Sequence, residues 1–206
     1  MRILHLGCGR KQWPAAQLLA HVGLRLPDAE SAEVIHLDAD PANKPDLVCT
    51  LGRDSIPLPE ASINLVVAWH VLEHVGRQGE VGEWFQCWEE LYRVLTPGGL
   101  LYGEAPYYTS IWAWSDPSHV RAISEHSFVF FAQDSYRVEG SMISPYRVAC
   151  DFQWAAMPGL PAGYARVPDR ANPGSDHLRF AMAAIKPLRP WWQDATVIPM
   201  RHEVPA

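Results

Sequence analysis

Cysteine is scarce in this chain of 206 residues: only Cys8, Cys49, Cys87 and Cys150, widely spaced and with no C-x-x-C pair. That excludes a disulfide scaffold and a thiolate zinc knuckle, and it points to a reducing, cytoplasmic setting with isolated buried thiols. Long apolar runs are absent too, so no segment is expected to span a membrane. Basic charge is in short supply: 17 Lys and Arg stand against 23 Asp and Glu, a formal net charge of −6. A nucleic-acid reader needs a basic face, so DNA and RNA are disfavoured as partners and a small molecule is favoured. There is no internal repeat and no low-complexity tract. Tryptophan, in contrast, is abundant. Nine indoles in a chain this size serve as core or as walls of a pocket for a flat or apolar ligand.

Apolar periodicity sets out the first half of the chain. Residues Arg2–Leu6 read as a buried strand ending in Gly7-Cys8-Gly9. Pro14 opens a helical pattern with Ala15, Leu18, Leu19 and Val22 on one face. Val34–Asp38, Asp46–Thr50 and the almost wholly apolar Ile63–Ala68 are further strands. From Val81 to Leu95 apolar residues recur at gaps of three and four, the signature of an amphipathic helix, and Thr96-Pro97-Gly98-Gly99 stops it. Leu100–Ala105 is a fifth strand. Strands alternating with helices describe an α/β fold with an open, doubly wound parallel sheet. Beyond Pro106 the pattern becomes irregular. Glu125–Tyr136 reads as a helix, and Tyr146–Ala155 and Leu178–Lys186 as an antiparallel C-terminal hairpin across a Pro/Gly loop at Pro158–Asp176. The organisation expected is one domain, residues 1–186, with an acceptor or lid segment near 107–135, then a Pro/Trp-rich tail at 187–206.

Three local features carry chemistry. Gly7-Cys8-Gly9, between strand and helix, lets the backbone approach a ligand closely beside free N–H groups. A dinucleotide fold wants a third glycine where this chain has Gln12, so a nicotinamide-dependent oxidoreductase is disfavoured. Asp38, at the carboxyl end of the second strand, lies where a carboxylate can accept ribose hydroxyls, although Asp38-Ala-Asp-Pro41 is also good turn chemistry. His70-Val71-Leu72-Glu73-His74 spells the inverted zinc-peptidase pattern. A motif counts only in context, and this one sits at a strand exit, so no metal is expected.

In order along the chain stand Leu4-His-Leu-Gly-Cys-Gly9, Ile35-His-Leu-Asp-Ala-Asp-Pro41, Ser62–His74 ending in HVLEH, and Arg93-Val-Leu-Thr-Pro-Gly-Gly99. This succession resembles the class I S-adenosylmethionine-dependent methyltransferases, most of all a small bacterial and phage branch reading LNLGCG, VNVD, HVLEH and RVLKPGG. The resemblance covers roughly residues 2–106. It implies a Rossmann-like, mostly parallel seven-stranded sheet with S-adenosylmethionine as cofactor. It implies that Gly7, Cys8 and Gly9 line the cofactor, that Asp38 holds the ribose, and that Thr50 and Leu51 meet the adenine. It places Trp69 and His70 beneath the cofactor, with His70 close enough to the chemistry to count as catalytic. His5 stands where relatives carry an acid for the cofactor's amino group, a departure from the pattern.

The acceptor side is read from Ser115-Asp-Pro-Ser-His-Val-Arg121, which resembles a DPTHVR-like segment of some relatives. His119 is expected as a general base and Arg121 as a clamp for a carboxylate or phosphate. Tyr107, Tyr108, Trp112 and Trp114 are expected as a pocket wall. The function expected is methyl transfer to oxygen or nitrogen of a small-molecule or sugar-like acceptor. Its rivals are a cofactor-binding protein without catalysis, and a zinc hydrolase built on His70, Glu73 and His74.

Overall fold

The computed structural model describes residues 1–27, 29–138, 143–157, 159–169, 172 and 175–193. β1 (Arg2–Leu6) is buried along nearly its whole length, as a parallel strand covered on both faces must be. The chain returns through α1 (Ala15–His21) to β2 (Glu33–Asp38) and the two-residue β3 (Leu47–Val48), then crosses to β4 (Ile63–Trp69). α2 (Gly82–Val94) leads directly into β5 (Leu95–Pro106), followed by the one-turn α3 (Trp112–Ser115), then β6 (Phe152–Trp154), β7 (Tyr164–Pro168) and β8 (Asp176–Ala184). Among the described residues the sheet has eight strands in the order β3-β2-β1-β4-β5-β8-β6, with β7 also paired to β8. β1 through β5 run parallel, and β8 lies antiparallel to β5, β6 and β7.

Period-two alternation divides the core between the two faces. Leu4, Leu6, Val66, Ala68 and Leu101 turn to one side, where α2 buries Trp84, Cys87, Trp88 and Leu91. Ile3, Leu65, Val67 and Tyr102 turn to the other, under Ala15, Leu18, Leu19 and Val22 of α1. The strand order reverses between β1 and β4, so their carboxyl ends diverge and leave a crevice, the usual ligand position in an open α/β sheet.

Several elements differ from the sequence expectation, each for a physical reason. The Pro97-Gly98-Gly99 turn is absorbed as a bulge: Ile63 pairs with Leu95 and Leu65 with Leu100, and Gly98 has φ +72°. The helix expected at Glu125–Tyr136 forms instead as two 3₁₀ segments, Glu125–Phe131 and Gln133–Arg137. Phe128 and Phe131, three apart, are both fully buried, which suits a three-residue turn. Gln133 then enters the core, giving its amide to the carbonyls of Val148 and Cys150. The loop expected at Pro158–Asp176 contains β7, a short strand that ends in Pro168, as edge strands tolerate. Together β6 and β7 share the far edge of β8, so the antiparallel part is larger than a hairpin. In the tail, Trp191 is buried, stacks on Tyr136 and donates its indole N–H to the Tyr146 carbonyl. Residues 194–206, most of the expected tail, lie outside the described residues.

Candidate functional site

The glycine turn closes the carboxyl end of β1. Gly7 and Gly9 have φ +59° and +53°, conformations that cost other residues energy. A Cβ on Gly7 would meet Val71 Cγ2 at 2.8 Å, while one on Gly9 would project into open space. The turn is held by Asp38, whose Oδ2 accepts the Gly9 N–H at 2.7 Å. Its Oδ1 accepts the Asp40 N–H at 2.9 Å and Asn43 Nδ2 at 3.2 Å. Cys8 is buried between the glycines, and burial followed by the nearby Asp38 charge pushes its thiol up to about 11. It is therefore a neutral packing group with no nucleophilic role. Thr50 gives its N–H to Asp54 Oδ2 at 2.7 Å, and the half-buried Leu51 packs against the core.

His5 lies near the carboxyl end of β1, with its ring against His36 of β2. Its Nδ1 is 3.1 Å from His36 Nδ1, and the ring is almost fully buried. Burial first, then the His36 and His21 charges, lower its pKa to about 4. A neutral imidazole offers no counter-charge to an ammonium group, and the ring is engaged with His36.

His70 joins the two halves of the site. It exits β4 with φ +50°, an uncommon conformation for a residue with a Cβ, and its N–H donates to the Glu104 carbonyl at 2.8 Å. Its Nδ1 lies 3.3 Å from Glu73 Oε1 and its Nε2 lies 3.5 Å from Glu104 Oε1. Burial would lower its pKa, but hydrogen bonds to Glu104 and Glu73 outweigh that and raise it to about 9. His70 is thus an imidazolium at neutral pH, a donor and not a base. Because it precedes the 3₁₀ turn Leu72–His74, His70 and His74 do not share the helix face that the inverted peptidase pattern requires. Trp69 packs toward α1, stacked on Tyr102 with the Arg179 guanidinium 5.2 Å from its ring centre.

Beyond His70 a pocket of about 660 Å³ is lined by Glu73, His74, Trp112, Asp116, His119 and His177, among others. His119 is delivered to it by backbone docking: the N–H groups of Val120 and Arg121 both reach the Glu73 carbonyl, at 3.0 and 3.2 Å. His119 Nδ1 is 2.8 Å from the Trp112 carbonyl, which accepts only, so the neutral ring carries its proton on Nδ1 and its lone pair on Nε2. Arg121 turns elsewhere. Its guanidinium serves the carbonyls of Val75, Arg77 and Glu80 and covers the Trp84 ring, so it holds a loop. Tyr107 lies under the Arg166 guanidinium, and Tyr108 and Trp114 are exposed. The sequence reading missed His177, which faces Pro106 across the β5–β8 ladder, and Arg179, which faces Glu104. The alternation His177-Leu-Arg179 is visible in the sequence, but the register that brings it here is not.

These histidines give the fold opposed pH limbs. His5, His21, His36 and His177 all have lowered pKa values, chiefly through burial. The unfolded chain takes up those protons near pH 6.5, so their stabilisation is complete above that pH and is lost as the pH falls toward about 4. His70 acts in reverse. Its contribution is complete below about 6.5 and is lost as the pH rises through about 9. Calorimetric melting from pH 4 to 10 is expected to show a maximum near neutrality. His5→Asn should flatten the acid limb and His70→Gln the alkaline limb. Superimposable profiles for wild type and variants would contradict this assignment.

Residues 4–103 match the family described as a methyltransferase domain. A curated relative from Mycolicibacterium smegmatis, named "Probable S-adenosylmethionine-dependent methyltransferase", is 34% identical over 107 residues, which is 50% of this chain and 37% of the relative. The chain therefore spans little more than a third of that relative. Among solved structures, a SAM-dependent methyltransferase from Archaeoglobus fulgidus aligns over 89% of this chain and 85% of its own, at 15% identity and a TM-score of 0.50. An N-methyltransferase from Bradyrhizobium japonicum aligns over 90% and 86%, at 13% identity and a TM-score of 0.50. At such identities these likenesses establish the fold, the Rossmann-like α/β methyltransferase fold. Among the described residues no helix is long and apolar enough to cross a membrane.

Proposed function

We propose that this chain, whose residues 4–103 carry the methyltransferase domain, transfers a methyl group from S-adenosylmethionine to oxygen or nitrogen of a small-molecule acceptor. Within that family its own motifs favour the small bacterial and phage branch. The observation that carries the reading is the Gly7–Gly9 turn tied to Asp38 at the point where the strand order reverses. The residues fit the cofactor: open space beyond Gly9, and a carboxylate oxygen of Asp38 with a lone pair to spare. Bound there, S-adenosylmethionine supplies an electrophilic methyl group.

The chain's own residues do the rest. Asp38 orients the ribose, Gly7 through Gly9 give backbone access, and Thr50 and Leu51 border the adenine. Trp69 and the His70 imidazolium bound the floor between cofactor and acceptor. His119, with a free Nε2 in the pocket, takes the proton of an acceptor that carries one, and Trp112 walls the pocket. Arg121 supports the segment behind that wall through the loop it holds. We treat residues 1–186 as one methyltransferase domain with its acceptor segment near 107–135.

Titration calorimetry with S-adenosylhomocysteine, joined to transfer of labelled methyl from S-adenosylmethionine to a panel of hydroxy and amino acceptors, tests the proposal. One-to-one binding and labelled product are expected. Absence of binding would overturn the cofactor assignment, and binding without transfer to any acceptor class would overturn the activity.

A further inference from the structure

Most of the His-Val-Leu-Glu-His string is left over by the methyl-transfer reading. Glu73 is nearly fully buried, with 1% of its side chain exposed, and it is placed under a polar pocket. Its Oε1 meets His70, but its Oε2 has no hydrogen-bond partner among the described residues. A buried carboxylate oxygen without a partner is costly, and it requires a reason. Two imidazoles stand beside the same carboxylate, with His119 on the side of Oε1. His74 and His119 lie with ring centres 4.8 Å apart, and His119 Nε2 is 3.9 Å from Glu73 Oε1.

Both rings are held in the same manner. His74 Nδ1 is 3.1 Å from the Ser118 carbonyl, and His119 Nδ1 is 2.8 Å from the Trp112 carbonyl. A carbonyl accepts only, so in the neutral form each ring carries its proton on Nδ1 and its lone pair on Nε2. That is how metal-ligating histidines are fixed: the far nitrogen donates to a carbonyl or carboxylate, setting tautomer and orientation. One donor atom from each of Glu73, His74 and His119 can be chosen with all three within 4.8 Å of one another. Donors around a zinc-like ion at bonds of about 2.0–2.2 Å are closer than that, so the exposed His74 would move in by roughly an ångström.

We propose that Glu73, His74 and His119 bind one divalent transition-metal ion of the zinc class on the floor of this pocket. Two imidazoles and a carboxylate are the donor set such an ion prefers over calcium or magnesium, which favour oxygen shells. Three protein ligands leave a coordination position open toward the pocket, the arrangement of a working site and not of a structural one. Asp116, whose Oδ2 is also 3.9 Å from His119 Nε2, stands at the rim as a further carboxylate. A second grouping, His70, Glu104 and His177, is less suited, because Glu104 is engaged by Arg179 and both His70 ring nitrogens already face carboxylates, Glu73 and Glu104. The site departs from the sequence expectation of no metal. It also differs from the hydrolase pattern, since the second imidazole comes from position 119 and not 70. With the ion bound, His119 is a ligand, and an acceptor hydroxyl at the open position is acidified by the cation instead.

The test uses untagged full-length protein, chelator-treated, titrated with zinc by calorimetry and with cobalt(II) by absorption in the visible. One site per chain is expected, with intense cobalt bands of a four-coordinate ion. Affinity should fall at least about tenfold in each of Glu73→Gln, His74→Ala and His119→Ala, because every one removes a ligand. The exposed His126→Ala serves as control and should bind as wild type. No saturable binding, equal binding by all four variants, or loss in His177→Ala with retention in His119→Ala would each overturn the proposal. S-adenosylhomocysteine binding is measured on the same samples. Its retention without metal binding sinks only the metal site, and metal binding without it sinks only the cofactor reading.

Discussion

Asp38→Ala is expected to weaken S-adenosylhomocysteine binding by about 100-fold or more. Two effects combine. The carboxylate Oδ2 accepts the Gly9 N–H at 2.7 Å and keeps one lone pair for a ribose hydroxyl. A hydrogen bond to a charged group contributes about 1.5–3 kcal/mol, and each 1.4 kcal/mol is tenfold in affinity. The same carboxylate also organises the turn, through Gly9, Asp40 and Asn43, so its removal frees the backbone that would line the cofactor. Asp38→Asn should fall between, since it keeps one acceptor oxygen. Asp40→Ala should bind close to wild type, because that side chain only caps the short turn at Pro41–Asn43. Calorimetry on the three variants decides the matter. A change of threefold or less in Asp38→Ala would remove this residue from the cofactor site.

The elements legible in the sequence are those whose signal is local. β1, β2, β4 and β5 are apolar runs of strand length, and α2 repeats its apolar residues at three and four, so each can be read from its own window. The glycine turn, Asp38 and the strand-exit position of His70 follow from those elements. The antiparallel half was readable in outline only. β7 is a short strand ending in proline, and its pairing with β8 appears only when the two are brought together. Orientation was the other gap. His5 and Arg121 occupy motif positions, but burial decides the first and three backbone carbonyls decide the second. In the same way, the string at 70–74 names its donors without saying that His119 lies beside them.

Arg179→Met tests the contact that joins the two halves of the sheet. Glu104 lies in β5 directly opposite Arg179 in β8, seventy-five positions away in sequence. Its carboxylate is nearly buried and receives Arg179 Nη2 at 2.7 Å and Nε at 2.9 Å. Burial alone would raise its pKa, but the hydrogen bonds from His70 and Arg179 prevail and lower it. Removing the guanidinium leaves a charged carboxylate inside the sheet with only His70 as partner. Breaking a buried pair from one side typically costs 3–5 kcal/mol, and Arg179 is partly exposed, so about 3 kcal/mol is expected. In a chain of this size that lowers the melting temperature by roughly 6–12 °C. Methionine keeps much of the packing against Trp69, so the loss measures the charge and not a cavity. The double variant Glu104→Gln with Arg179→Met should recover most of the difference, because the uncompensated charge is gone. In Glu104→Gln alone, His70 keeps only Glu73, and its titration by NMR should move down from about 9 toward neutrality. If Arg179→Met melts within 2 °C of wild type, or the double variant melts no higher than the single, the ion pair is not what fixes β8 against β5. In that case the apolar partners Leu101, Phe180 and Met182 hold the register on their own.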